Sequence, residues 1–114
     1  MKNYSLPIQK IIRRIDFDLS ADLSLKANAN YLNMSPSYLS ALFKEETGQT
    51  LTDFVNQKRI SQSAYLLSYT QMPISTIAQT CGILDDNYFT KLFKRYMGKT
   101  PSQYRQDYPF TEAN

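Results

Sequence analysis

The chain has 114 residues, 42% of them hydrophobic, which suits one domain with a modest hydrophobic core. It carries a single cysteine, Cys81, and no histidine, which excludes an internal disulfide and argues against a zinc site. The net charge of +3 is mild and decides little by itself. No apolar run approaches the roughly 20 residues of a membrane-spanning helix, and no signal-peptide pattern opens the chain, so we expect a cytoplasmic protein without membrane contact.

Few glycines and the lack of alternating apolar and polar residues favour an all-α fold. We expect a domain over residues 5–108 whose first unit spans 5–48, after a flexible start at 1–4. Ser5 is the expected N-cap of the first helix, and Pro7 lies in its opening turn, where the missing N–H is harmless. The residues at helical spacing that should face inward are Ile8, Ile11, Ile12 and Ile15. The basic residues that should face outward are Lys10, Arg13 and Arg14.

Two short helices complete the first unit. Ser24 should begin the second helix, which ends near Leu32 and is followed by a tight turn, Asn33-Met34-Ser35. Ser35 followed by Pro36 provides an N-cap and a proline at the first helical position, a strong signal for the start of a third helix. Gly48 should end that helix in a left-handed conformation. Two short helices joined by a three-residue turn form a helix-turn-helix layout.

A long helix is predicted over residues 50–70. Thr50 is its expected N-cap, and Asp53 suits the positive end of the helix dipole. Its inward residues recur at intervals of three, four and seven: Phe54, Val55, Ile60, Ser63, Leu66 and Leu67. At roughly 1.5 Å per residue this helix is about 28 Å long.

The second unit, 73–108, repeats the first. Its fifth helix runs from Ile74 to Cys81, Gly82 allows a sharp turn, and Asp85 should cap a sixth helix that ends near Met97. A segment similar to Tyr38–Lys44 recurs fifty residues later at Tyr88–Lys94. After Gly98, the run Thr100-Pro101-Ser102-Gln103 opens a last helix to about Tyr108, and residues 109–114 should be flexible.

The second unit and the end of the long helix resemble the AraC/XylS family signature. The residues that carry the resemblance are Arg59-Ile60, Leu66-Leu67, Ile74, Ile77-Ala78, Gly82-Ile83, Asp85, Asn87-Tyr88-Phe89, Phe93-Lys94, Gly98, Thr100-Pro101 and Tyr104-Arg105. In the first unit, Ser35–Ser40, Leu42–Lys44 and Gly48 resemble that family's first helix-turn-helix. Three positions depart from the pattern: Ile83 replaces an aromatic residue, Asn28 an apolar one and Ser63 a common alanine.

The resemblance implies an all-α, seven-helix domain with two helix-turn-helix units joined by the long linker helix. It also implies that the second helices of both units enter successive major grooves of double-stranded operator or promoter DNA. A rod of about 28 Å is near the groove spacing of about 34 Å, and DNA bending would absorb the shortfall. Effector sensing and dimerisation are expected in a separate domain absent from this fragment, and RNA polymerase is a further expected partner.

The base-contacting candidates lie opposite the apolar faces of the third and sixth helices. They are Ser37, Ser40 and Ala41 in the first unit, and Asp86, Asn87, Thr90 and Lys91 in the second. Asparagine pairs with adenine, lysine contacts guanine, and an aspartate accepts from cytosine. The serines are also explained as ordinary surface residues, and Asp86 by the helix dipole. Because none of the first set contacts guanine as arginine does, we expect the first unit to discriminate bases weakly.

Residues from Lys91 to Arg105 include five basic side chains and no acidic one, which is typical of a nucleic-acid surface but is explained equally well by an ordinary solvated face. The phosphate-contacting candidates are Lys44, Thr50, Lys94, Arg95, Lys99 and Thr100. Intramolecular ion pairs are the alternative for Lys94 and Arg95, and both threonines are also expected to act as helix caps. Residues expected to pack or pair internally are Tyr38, Tyr88, Tyr104, Cys81 and Arg59. Without histidine, a glycine-rich phosphate loop or clustered acids, the sequence argues against an enzyme and indicates no cofactor. The alternative to a DNA-binding domain is a helical module that docks on a protein partner.

Overall fold

The computed structural model describes residues 3–108, which form seven α-helices and no β-strand. The helices are α1 (Leu6–Phe17), α2 (Leu25–Leu32), α3 (Pro36–Thr47), α4 (Leu51–Tyr69), α5 (Ile74–Thr80), α6 (Asp86–Met97) and α7 (Pro101–Asp107). The all-α prediction is therefore confirmed. The predicted flexible ends at residues 1, 2 and 109–114 lie outside the described range. No helix within that range has the length and apolar character needed to cross a membrane.

The chain divides into two compact units, Met1–Val55 and Asn56–Asn114, so the division falls within α4. The core of unit 1 contains the predicted isoleucines Ile8, Ile11 and Ile15, whereas Ile12 is only half-buried at its edge. The other core residues of this unit are Leu23, Ala29, Leu39, Phe43, Leu51 and Val55. Phe54 packs its ring edge-on against Phe43, with ring centroids 5.2 Å apart.

The core of unit 2 is built from the later turns of α4 together with α5 and α6. Its buried residues are Ile60, Ala64, Leu67, Ile77, Ala78, Cys81, Ile83, Phe89, Leu92 and Phe93. Ile83 is only 4% exposed, so the aliphatic residue packs well where the family has an aromatic one. Tyr104 of α7 closes this core by an edge-on contact with Phe93, at 5.4 Å between centroids, as predicted for a packing residue.

Most helix starts follow the predicted capping chemistry. The side chains of Ser24, Ser35 and Asp85 accept hydrogen bonds from backbone N–H groups in the first turns of α2, α3 and α6. Ser5 occupies the N-cap of α1, but its side chain makes no cap bond. Its N–H and Oγ instead donate to the Glu46 carboxylate at 2.7 and 2.6 Å, which ties the start of α1 to the end of α3. The side-chain capping predicted for Ser5 is therefore wrong.

The two helix-turn-helix turns share one backbone design. Asn33 and Gly82 both adopt the left-handed conformation, with φ of 55° and 93°. The next residue in each turn donates its N–H to an alanine carbonyl, Met34 to Ala29 at 3.0 Å and Ile83 to Ala78 at 2.8 Å. This arrangement satisfies carbonyls at the end of α2 and α5 and turns the chain toward the following helix.

Candidate nucleic-acid interface

In unit 1 the predicted base-contacting residues lie together on the outer face of α3. Because Leu39 and Phe43 point into the core, Ser37, Ser40 and Ala41 are exposed on the other side of the helix. These three residues and Lys44 line a single open depression of about 570 Å³, bordered by Leu25, Pro36 and Glu45. The structure therefore brings all four candidates of this helix to one surface.

The two acidic residues near the end of α3 have different environments. Glu45 is exposed and borders the depression along α3, where its charge opposes a phosphate. Glu46 is half-buried and its two carboxylate oxygens accept hydrogen bonds from Ser5. The Glu46 charge is thus turned toward α1, whereas the Glu45 charge weakens the attraction of this surface for an anion.

In unit 2 the outer face of α6 carries the second predicted set. Phe89, Leu92 and Phe93 are buried. The exposed residues of this face are Asp86, Asn87, Thr90, Lys91, Lys94 and Arg95. All candidates on this helix are therefore accessible. Asp86 lies in the first turn, so the helix dipole explains its presence as well as a base contact does.

Thr90 has a more restricted chemistry than its hydroxyl suggests. Its Oγ1 donates to the backbone carbonyl of Asp86 at 3.0 Å. A hydroxyl has one hydrogen to donate, so Thr90 is left with acceptor lone pairs and a methyl group for a ligand. In contrast, the Lys91, Lys94 and Arg95 side chains form no hydrogen bond or ion pair with residues 3–108. Their donors are free for an external anion.

Lys99 differs from the other basic candidates because it already has a partner. Its ammonium group pairs with the Asp107 carboxylate and lies 5.5 Å from the Tyr108 ring centroid. The hydrogen bond to Asp107 raises the pKa of Lys99 above its usual value. A phosphate contact by Lys99 stays a prediction, and such a contact would have to compete with Asp107.

The two threonine candidates are caps. Thr50 Oγ1 accepts from the Asp53 N–H at 3.1 Å, as predicted. Thr100 forms a capping box with Gln103, in which each side chain accepts from the other residue's N–H. Their contacts with phosphate stay predictions.

Two tyrosines that were predicted to pack internally are instead exposed. Tyr38 on α3 is 58% exposed and Tyr88 on α6 is 50% exposed, so that prediction is wrong for both. Each lies between a residue of the candidate surface and a buried residue in the sequence: Tyr38 follows Ser37 and precedes Leu39, and Tyr88 follows Asn87 and precedes Phe89. Their position one residue from the apolar stripe was the available signal, because a helix turns by about 100° at each residue.

Other residues predicted to be internal have definite roles. Cys81 is 1% exposed, and burial raises the pKa of its thiol, which confirms a packing role. The positive charge of Arg59 acts in the opposite direction and lowers the pKa of that thiol, by less than burial raises it. The ion pair expected for Arg59 stays a prediction. Arg105, from the basic stretch, donates to the carbonyls of Leu67 and Thr70 at 3.3 and 3.2 Å, and thereby stabilises the end of α4.

Comparisons with known proteins agree with this architecture. A family model described as a helix-turn-helix domain matches residues 28–107. The HTH-type transcriptional activator RhaR of Escherichia coli is 34% identical over 98 residues, a match that covers 86% of this chain and 35% of RhaR. The chain thus spans about a third of the length of this relative.

Two solved structures are similar over most of their length. The C-terminal domain of AraT, a response regulator from Geobacillus stearothermophilus, has a TM-score of 0.94 and 33% identity, covering 99% of this chain and 94% of that one. The C-terminal domain of the two-component response regulator yesN from Fusobacterium nucleatum has a TM-score of 0.76 and 37% identity, covering 86% and 93%. Family and fold are those of transcription regulators rather than enzymes. The chain belongs to the AraC/XylS family of helix-turn-helix transcription regulators.

Proposed function

We propose that this chain is a sequence-specific, double-stranded-DNA-binding domain of a bacterial transcription regulator. In this proposal α3 and α6 are the recognition helices and enter successive major grooves of an operator or promoter. The observation that carries the proposal is the outer face of α6, where Asn87, Thr90 and Lys91 are exposed above a fully packed core. A rigid helix with polar side chains on its outer face is the usual means of contacting base edges in the major groove.

The residues of α6 supply most of the base discrimination. Asn87 pairs with adenine through its amide, and Lys91 donates to the acceptors of guanine. Thr90 has used its hydrogen within the helix, so it accepts from a base amino group or places its methyl against thymine. Asp86 is suited to accept from cytosine.

The outer face of α3 makes a weaker contribution. Ser37 and Ser40 form single hydrogen bonds to bases or phosphates, and Ala41 touches a thymine methyl. None of them forms the two-bond contact that distinguishes one base strongly. Glu45 beside them also opposes phosphate. Lys44 donates to a phosphate, so it contributes affinity rather than base preference.

Phosphate contacts supply most of the affinity. Lys44, Lys94 and Arg95 are exposed, and Lys99 joins them where DNA displaces Asp107. The slope of log affinity against log salt is expected to fall by about 0.9 for each phosphate contact removed. Thr50 and Thr100 begin helices whose N-terminal backbone N–H groups donate hydrogen bonds to a phosphate oxygen.

Within the whole regulator this domain works in the cytoplasm beside RNA polymerase, while effector sensing and dimerisation belong to another domain. The match to about a third of the length of RhaR supports this separation of functions between domains.

The test is selection of random duplexes by the purified chain, followed by titration of the selected duplex at two salt concentrations. We expect a site with two conserved elements about one helical turn apart. Lys91→Ala should relax the preference at one base position, at a cost of about 1–3 kcal/mol for the preferred base. Lys44→Ala should weaken binding to all duplexes alike.

Lys10→Ala is the matched control, because it removes the same charge from an exposed position on α1. A single selected element would refute the role of α3 as a second recognition helix. Unchanged discrimination in Lys91→Ala would refute its base contact. A lack of salt-sensitive binding to any duplex would refute the DNA-binding function itself.

A further inference from the structure

The outer face of α1 carries a second polar and aromatic surface in unit 1. Lys10, Arg13, Arg14 and Phe17 recur at intervals of three and four residues, so they lie on one side of the helix. Together with Tyr31 of α2 they line an open depression of about 580 Å³, which we call the α1 patch. The α1 patch shares no lining residue with the depression along α3.

Arg14 is held in place within the α1 patch. Its Nη1 donates to Asn28 Oδ1 at 2.7 Å, and its guanidinium carbon lies 5.3 Å from the Tyr31 ring centroid. Asn28 is completely buried, and its Nδ2 donates to the carbonyls of Leu23 and Ser24, both at 3.0 Å. This buried asparagine stands where the family pattern has an apolar residue. Its hydrogen bonds fix the orientation of a surface arginine.

A fixed arginine loses little conformational freedom when it binds a ligand. A guanidinium carries five N–H donors in a planar fork that matches a carboxylate, and the bond to Asn28 uses one of them. The site is therefore organised before a partner arrives.

Among the large apolar residues that the structure describes, Phe17 is the most exposed, at 91%. Tyr31 beside it is 56% exposed. Aromatic residues and arginine are enriched at protein interfaces and provide most of the binding energy there. Nothing in the core requires an aromatic residue at position 17, since its ring lies almost wholly in solvent.

The charge of the α1 patch indicates the chemistry of its partner. Three of its five residues are cationic and none is acidic. Asp16 lies about 100° around the helix from Phe17. Asp18 follows the helix end, where it accepts hydrogen bonds from the N–H and Oγ of Ser20.

We propose that the α1 patch binds a partner protein through an acidic, amphipathic segment of that partner. Carboxylates of the segment bind Arg14 and Arg13, and an apolar side chain packs on Phe17 and Tyr31. A DNA phosphate backbone fits less well, because it offers an exposed phenylalanine no apolar group to bury. This inference is independent of the proposed DNA contacts of α3 and α6.

The test is selection of displayed random peptides on the immobilised chain, with each enriched peptide then titrated against variants. Phe17→Ser and Arg13→Glu are the test variants, because both side chains are exposed and their replacement leaves the core intact. Leu6→Ala and Lys26→Glu are matched controls: one shortens an exposed apolar residue of α1, and the other reverses an exposed lysine outside the α1 patch. Circular dichroism checks that every variant is folded.

We expect the enriched peptides to combine aspartate or glutamate with large apolar residues. Their affinity should fall about tenfold or more in both test variants and change little in both controls. Duplex DNA binding by Phe17→Ser should equal that of the unmodified chain. Failure to enrich any peptide, enrichment without an excess of acids, or equal affinity for the test variants would overturn the proposal. So would loss of duplex binding in Phe17→Ser, which would assign the α1 patch to DNA.

Discussion

Asn28→Ala is expected to destabilise unit 1 far more than an ordinary surface substitution. Asn28 is completely buried and forms three hydrogen bonds. Two of these link its amide to the carbonyls of Leu23 and Ser24, and the third accepts from Arg14. Alanine removes all three at once and leaves a space the size of a carboxamide beside the core.

The expected decrease in the free energy of unfolding follows from the type of each hydrogen bond removed. The two bonds to carbonyls contribute about 1 kcal/mol each, and the bond from the charged Arg14 contributes about 1.5–3 kcal/mol. Alanine recovers about 0.7 kcal/mol because it is the better helix former, and Arg14 regains contact with water. The net decrease in the free energy of unfolding should be about 3 kcal/mol.

Urea denaturation followed by far-UV circular dichroism measures this loss, since the chain has no tryptophan for fluorescence. Asn30→Ala is the control: it makes the same change at an exposed position of α2 and should raise stability by about 0.7 kcal/mol at most, the helix-propensity gain alone. Combining Asn28→Ala with Arg14→Ala should give a loss smaller than the sum of the single losses. A decrease below about 1 kcal/mol, or additive losses in the double variant, would show that the buried amide does not hold Arg14.

Three further predictions concern single groups. Gly48 has φ of +80°, and a Cβ at this position would meet no other atom within 4 Å. Gly48→Ala should therefore lower the free energy of unfolding, measured by urea denaturation, by about 1 kcal/mol through backbone strain alone, and Gly48→Asn should lower it clearly less. Equal losses in the two variants would refute strain as the cause. The Cys81 thiol, whose pKa burial raises, should react with a disulfide reagent at pH 8 far more slowly in the folded chain than in urea; equal rates would contradict its burial. Hydrogen bonds from Ser20 lower the pKa of Asp18, so Ser20→Ala should move that pKa up toward its ordinary value in an NMR titration, whereas Ser20→Thr should not. Because the folded pKa is lowered, the stabilisation from this contact is present above the ordinary pKa of aspartate and is lost as the pH falls through the folded pKa.

The helix boundaries were largely predictable because their signals are local. The N-cap and proline at Ser35-Pro36, and the left-handed Gly48, delimit α3 as the sequence indicated. Thr100 and Gln103 likewise form the expected capping box at the start of α7. Each of these interactions joins residues close in the chain, so residue type and spacing suffice to predict them.

Contacts between distant residues were not predictable in the same way. Ser5 carries the signal of an N-cap, yet its hydroxyl bonds to Glu46, which lies 41 residues further along the chain. A local rule cannot weigh a competing carboxylate that only the tertiary fold supplies. The pairing of Lys99 with Asp107 depends in the same way on where α7 begins and how it is oriented.

The candidate site was predictable as a surface but not in its chemistry. Helical periodicity identified the outward residues of α3 and α6, because the buried stripe of each helix is strongly apolar. It did not show that Thr90 has already donated its hydrogen, because periodicity carries no information on the rotamer that a side chain adopts. The exposure of Tyr38 and Tyr88 was indicated by their spacing but was not predicted.

The two helix-turn-helix turns show why a difference in spacing did not obscure the repeat. Both turns place a left-handed residue four positions after the buried alanine, Asn33 after Ala29 and Gly82 after Ala78. Asparagine and glycine are the two residues that adopt this conformation most readily, so either one satisfies the same backbone requirement. The repeat is therefore preserved in backbone conformation where the residue type differs.

The extra residue of the second turn lies after that shared design. From the left-handed residue to the N-cap there is one residue in unit 1, Met34, and there are two in unit 2, Ile83 and Leu84. Met34 and Ile83 both pack against the core of their unit, whereas Leu84 is 80% exposed. The added residue is thus directed into solvent immediately before the Asp85 cap, and the packing of the core is unchanged. The insertion lies between the turn and α6. Two residues therefore link the left-handed residue to the N-cap of α6, whereas one residue makes the corresponding link to the N-cap of α3.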